Sequence, residues 1–246
     1  MSLGEAIIIP SVKVRDYQLT RVLLEQYRDA ALKNAHSLLD EARLLLAHSH
    51  FARAYFLAVA AVEETGKSVQ AFDGIGRNLK DPAVSTRLKL HFEDHSQKIT
   101  SAFLPWLLAT PDLRAEVMSF VNTMIDVKHG REPSMYTDIH RDGPKVVTPE
   151  LVVRGAVAEN CIRLAERVLS YAKPHVTEAQ PKVTTRVQDA FFAMKPGLFQ
   201  KMANTGDFWE YYISRMEAGD RALESAVTEY NRLYFSKSAK FKAETP

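Results

Sequence analysis

Residues 31–68 read ALKNAHSLLDEARLLLAHSHFARAYFLAVAAVEETGKS, and the apolar spacing in this stretch decides the fold. In its first half Ala31, Ala35, Leu38, Leu39, Ala42, Leu45 and Leu46 recur at helical intervals, continuing a pattern begun by Leu23, Leu24 and Tyr27. No Gly or Pro interrupts them, which predicts one helix from about Tyr17 to His48. A short break at Ser49-His50 leads into a second helix from about Phe51 to Ile75, closed by Gly74 and Gly76. The centre of this second helix, AYFLAVAAVEETGK, is apolar almost all round, so it belongs deep inside a bundle.

Downstream, Asp81-Pro82 opens a third helix running to about Ala109, and Thr110-Pro111 opens a fourth to about Lys128. One irregular stretch follows, HGREPSMYTDIHRDGPKVVTP, from His129 to Pro149. Thr148-Pro149-Glu150 then starts a fifth helix to about Lys173, where Pro174 is expected to stop it. TEAQPK (177–182) reads as a hinge. Beyond it lie a short helix near Val183 to Met194, a longer one from about Asp207 to Tyr234, and a loose tail, KSAKFKAETP. The expected architecture is all-α: an antiparallel helical bundle with an N-terminal arm over residues 1–175 and a C-terminal helical extension over 176–246. The first helical hairpin has no second copy, which argues against a solenoid.

Composition agrees. The 246 residues contain only 10 Gly and 11 Pro, too little punctuation for an all-β fold, while a 46% hydrophobic fraction supports a real core. A formal net charge of +2 removes any argument from global charge. The single cysteine, Cys161, has Val157, Ala158, Ile162 and Ala165 around it, the setting of a buried filler rather than a nucleophile. No apolar run approaches the roughly 20 residues a membrane span needs, and MSLGEAIIIPSV at the start lacks a basic leader. It reads as an arm packed on the bundle of a cytoplasmic protein.

Several polar residues sit where a core helix has no need of them. Glu63 and Lys67 are four apart; they form either a surface pair beside a packed Gly66 or part of a buried polar cluster. His91 and His95 have chelating spacing around Glu93, but Phe92 stands where a zincin needs Glu, and the paired Glu-x-x-His motifs of a di-iron bundle are missing. No metal site is expected. Gly74-x-Gly76 follows no strand, so it is not a nucleotide loop, and no nucleophile elbow or P-loop occurs. The irregular stretch and its edge are dense in Lys128, His129, Arg131, Tyr136, Asp138, His140 and Arg141. Such a set suits a phosphate or an RNA backbone; its plain alternative is a solvated loop.

Taken in order, Asn34-Ala35, Leu38-Leu39, Glu41-Ala42, Arg53-Ala54 and Glu63-Glu64-x-Gly66-Lys67 resemble the opening of the AbiV-type abortive infection proteins, a branch of the HEPN superfamily. A later His-x-x-Lys (His95, Lys98) and Arg-x4-Tyr-x-Asp (Arg131, Tyr136, Asp138) also look like that family, so the resemblance spans about Leu32 to Asp138. It implies a HEPN-like bundle, usually dimeric, that acts in bacterial defence against phage. Many HEPN proteins are metal-independent ribonucleases in which an Arg steadies the phosphate and a His activates the ribose 2′-hydroxyl. Here Arg131 is in place, but Tyr136 stands where that His would be. A free Tyr is about one part in a thousand phenolate at pH 7, a heavy handicap for a general base. His129, His140 and His95 are the candidate substitutes.

The expectation is therefore a defence effector that binds a phage or host macromolecule, protein or RNA, with a ribonuclease as the alternative. Arg131, Tyr136 and His95 are the catalytic candidates; Glu63, Glu64, Lys67, Lys98, Lys128 and Asp138 are the binding candidates. A homodimer is expected, with no cofactor and no membrane partner, because the Ile-rich arm and the aromatic Phe208, Trp209, Tyr211 and Tyr212 add apolar surface. Geometrically, Glu63, Lys67, His95, Lys98, Arg131 and Tyr136 should meet at one end or groove of the bundle, with the second and third helices antiparallel.

Overall fold

Thr20 starts the first helix, α1 (Arg21–Ala47), by accepting a hydrogen bond on its side chain from the Leu23 backbone N–H at 3.1 Å. A tight turn with Ser49 at φ +62° then sends the chain back along α2 (Phe51–Ile75). The computed structural model describes residues 17–111, 113–139, 143–195, 197–220 and 222–241, without the side chains of 113–117. The expected N-terminal arm, His140 and Arg141 lie outside these residues.

α2 is the central helix, as its all-round apolar sequence requires. It buries Ala54, Ala58, Val59, Val62 and Val69 completely, and α1, α4 and α7 pack around it. The remaining bundle elements are α3 (Pro82–Glu93), α4 (His95–Ala109), α5 (Leu113–Arg131), the single turn α6 (Pro149–Val152) and α7 (Gly155–Thr177).

Four sequence expectations change here. The third helix is two helices, because Asp94 adopts an extended conformation (φ −81°, ψ 115°) and caps α4 by accepting from the Gln97 N–H at 3.0 Å. The contacts Glu63–His95, Gly66–Lys98 and Gln70–Ser101 rise in step, so α4 runs parallel to α2 rather than antiparallel. The fifth helix is likewise split at Val153-Arg154, and Pro174 does not stop α7. Only one turn follows that proline, the Ser170 carbonyl it leaves unbonded is on an exposed residue, and Val176 and His175 hold the turn against Phe72.

The irregular stretch begins later than its sequence suggested. α5 continues through Arg131, and the loop beyond holds a two-residue antiparallel ladder, β1 (Asp138–Ile139) with β2 (Val146–Val147).

The C-terminal residues build a second core. α8 (Arg186–Phe192) carries a capping box between Thr185 and Gln188. α9 (Leu198–Ala203) was not anticipated, and the expected long helix is α10 (Gly206–Glu217) and α11 (Leu223–Leu233), parted by Gly219 at φ +92°. Phe208, Tyr211, Val227 and Tyr230 are buried together, while Trp209 stays exposed. The tail is not loose where it is described, because Asp207 accepts from the Phe241 N–H at 3.0 Å and from the Tyr230 hydroxyl at 2.6 Å. Nor does the chain swing free after 177–182: the Thr184 N–H donates to the Gly76 carbonyl at 3.0 Å. Among the described residues no helix is long and apolar enough to cross a membrane.

Candidate functional site

Halfway along α2 the apolar face is interrupted by Glu63, which is only 6% exposed. An isolated carboxylate there would be costly, and three side chains compensate it. His95 Nδ1 lies 2.7 Å and Lys98 Nζ 2.8 Å from one carboxylate oxygen, and Arg131 Nε lies 2.9 Å from the other. His95 and Lys98 come from the first turn and a half of α4, where Asp94 starts the helix, and Arg131 is the last residue of α5. The guanidinium of Arg131 also stands 6.0 Å from the Phe56 ring centre. Lys98 is as buried as Glu63, at 5% exposure, so each is the condition for the other. Burial by itself would raise the Glu63 pKa, but the hydrogen bonds and charges of Lys98 and His95 outweigh it and hold the carboxyl below its ordinary range.

Gly66 makes this convergence possible. A Cβ on it would lie 1.8 Å from the Lys98 carbonyl oxygen, so only glycine lets the α4 backbone approach α2 this closely. A glycine inside an apolar helix, beside charged residues, was the sequence signal for that contact.

Two members of the cluster, His95 and Arg131, line an open cleft of about 1200 Å³. Lys128, His129, Tyr136 and Asp138 line it together with His95 and Arg131. Tyr136 is brought back over the cleft by a turn in which its N–H donates to the Glu132 carbonyl at 3.0 Å, and its side chain is 56% exposed. Four of the six residues expected to meet do so around one carboxylate, and Tyr136 shares their cleft. Lys67 does not join them. It pairs with Glu64 on the same helix rather than with Glu63, because Glu63 points towards α4 and α5. The site also sits at the middle of α2 and not at its end, a consequence of the chain reversal at Asp94.

Comparison with known families fits this geometry: the AbiV family model, a HEPN group, matches residues 23–170. The chain belongs to the AbiV family. That membership implies abortive-infection defence against phage. The match covers α1 to most of α7 and therefore every residue of the cluster, while the second core lies beyond it. No curated protein and no solved structure matches the chain.

Several features of the cleft were not legible in the sequence. Glu93, Asp94 and Glu132 line the cleft and make its wall acidic as well as basic, and Val152 enters from α6. His91 and His95, whose spacing alone suits chelation, lie on different helices, and His91 packs edge-on to Phe192 at 5.0 Å. Cys161 is buried as expected, with its thiol pushed up to about 12 by burial.

Proposed function

We propose that this AbiV protein acts in anti-phage defence by binding a phage or host protein in the cleft above Glu63. Its charge balance carries the reading. The cleft wall has Lys128 and Arg131 as fixed cations against Glu93, Asp94, Glu132 and Asp138, and Arg131 shares the Glu63 carboxylate with Lys98. An RNA backbone needs an excess of cations, which the described residues of this wall do not supply. The rim instead offers exposed apolar groups, Tyr136, Ile139 and Val152, beside mixed charge, the composition of a protein-binding surface. The decisive experiment is phage plaquing with wild-type, Tyr136→Ala and Ile139→Asp proteins, both substitutions being at exposed positions. Loss of protection with retained folding supports the reading; full protection by both variants refutes it.

One observation favours ribonuclease activity as a second reading. His95 meets the Glu63 carboxylate through Nδ1, so its Nε2 is the ring nitrogen left to meet a 2′-hydroxyl, with Arg131 on the same carboxylate for the phosphate. Incubation of purified protein with total RNA tests it. Cleavage that His95→Ala abolishes while the fold persists would establish the nuclease; intact RNA would remove it.

A homodimer is part of the same proposal. Its support is the outward apolar set Leu104 and Leu108 on α4 with Met118 and Ile125 on α5. Light scattering should give about twice the 27.7 kDa chain mass, and a monomer mass would overturn it.

A further inference from the structure

A second cleft of about 530 Å³ lies where the C-terminal helices meet the ends of α2 and α3. None of its residues belongs to the Glu63 cluster. Four cationic side chains line it, Arg77, Arg87, Lys182 and Lys195, against the carboxylates of Asp73 and Glu224. Arg77 is already committed, 3.3 Å from Asp189 and stacked 3.7 Å over the Phe192 ring, and so forms part of the wall. Asp189 in turn accepts from the Asn78 N–H at 3.0 Å and the Thr184 hydroxyl at 2.8 Å, which locks the two halves of the cleft together.

The other cations are not balanced in this way. Arg87 Nε and His91 Nε2, one helical turn apart on α3, are buried without a hydrogen-bond partner among the described residues. A buried donor left unmatched costs about 1–3 kcal/mol, so a site that keeps one beside an excess of positive charge is suited to an anion. Lys182 and Lys195 stand at the mouth, both on exposed positions. The lining also holds apolar groups: Phe191 and Phe199, ring centres 6.0 Å apart, with Met194. The volume falls within the range of small-molecule sites.

Anion-seeking cations and aromatic rings in one cleft fit one ligand chemistry, a phosphate carried on a flat heterocycle. We propose that this second cleft binds a free mononucleotide, its phosphate held by Arg87, Lys182 and Lys195 and its base laid against Phe191 and Phe199. Because the cleft is built from both cores, the bound nucleotide ties the C-terminal helices to the bundle.

Isothermal titration of the full chain with AMP, GMP, CMP and UMP tests this, with adenosine and inorganic phosphate as separate arms. At least one mononucleotide should bind about tenfold or more tightly than either fragment, and Arg87→Gln and Lys195→Ala should each weaken it about tenfold. Lys195 is exposed, so its variant keeps the test valid if Arg87→Gln fails to fold. Phe199→Leu should weaken the nucleotide and leave phosphate unchanged, and Lys128→Ala, in the first cleft, should leave both unchanged. Absence of binding by every mononucleotide at about 1 mM overturns the proposal. So does binding that Lys195→Ala leaves intact, or binding that Lys128→Ala abolishes.

Discussion

Replacing Gly66 by Ala should destabilise the protein, although alanine is the better helix former. In an exposed helix the exchange would gain about 1 kcal/mol. Here the new Cβ would meet the Lys98 carbonyl oxygen at 1.8 Å, its carbon at 2.6 Å and the Lys98 Cα at 3.0 Å. All three are backbone atoms of α4, so no side chain can swing aside, and relief requires α4 to move by more than 1 Å, since ordinary contact begins at 3.4 Å. Overpacking of this kind costs about 1–3 kcal/mol. The same movement lengthens the 2.7 and 2.8 Å contacts of His95 and Lys98 with Glu63. Breaking a buried pair outright costs about 3–5 kcal/mol, so even partial loss exceeds the helix-propensity gain. The net loss should be about 2 kcal/mol or more, a fall in melting temperature of roughly 4–8 °C for a chain of this size. Gly206→Ala is the control, because nothing lies within 4 Å of its added Cβ. Thermal unfolding followed by circular dichroism decides the matter: a Gly66→Ala protein as stable as wild type would refute the close-approach argument.

Glu63→Gln should cost about 3–5 kcal/mol in urea unfolding, since it strands the buried Lys98 ammonium. Adding Lys98→Met should recover much of that loss, and a double mutant no better than the single one would mean the pair is not coupled. Acid should weaken the fold in two windows. His91 is lowered from 6.5 to about 4 by burial and by Arg87 and Arg77, so between those values the unfolded chain binds a proton that the native one does not. Stability should thus fall as pH drops from 6.5 to 4, and His91→Gln should flatten that slope; an equal slope in the variant counts against it. Glu63, held below 4.5, contributes fully above that value and loses its contribution only as pH falls through its lower native pKa. The Cys161 thiol, pushed up to about 12, should resist a disulfide reagent at pH 8 until urea unfolds the chain, and rapid labelling of the native protein would contradict its burial.

The sequence by itself determined the helical class, the hairpin of α1 and α2, the central position of α2 and the family resemblance. These rest on the period of apolar residues and on motifs a few positions long, which are local properties. It also named Glu63, His95, Lys98 and Arg131 as partners. Charges within and around a helix too apolar to face water must find one another, whatever the detailed path of the chain. Tertiary structure alone decided how they meet. Asp94 turns one expected helix into two, and α4 then runs parallel to α2, because a single cap competes well with continuing the helix once packing favours the turn. Lys67 was assigned to Glu63 by spacing but took Glu64, since spacing says which residues share a face and not which way each carboxylate leans. Pro174 did not end α7 because contacts with Phe72 retained the last turn against the local preference. The second cleft was invisible in the sequence for the same reason. Arg87 and Lys195 are more than a hundred positions apart, and only the docking of one core on the other brings them to the same cavity.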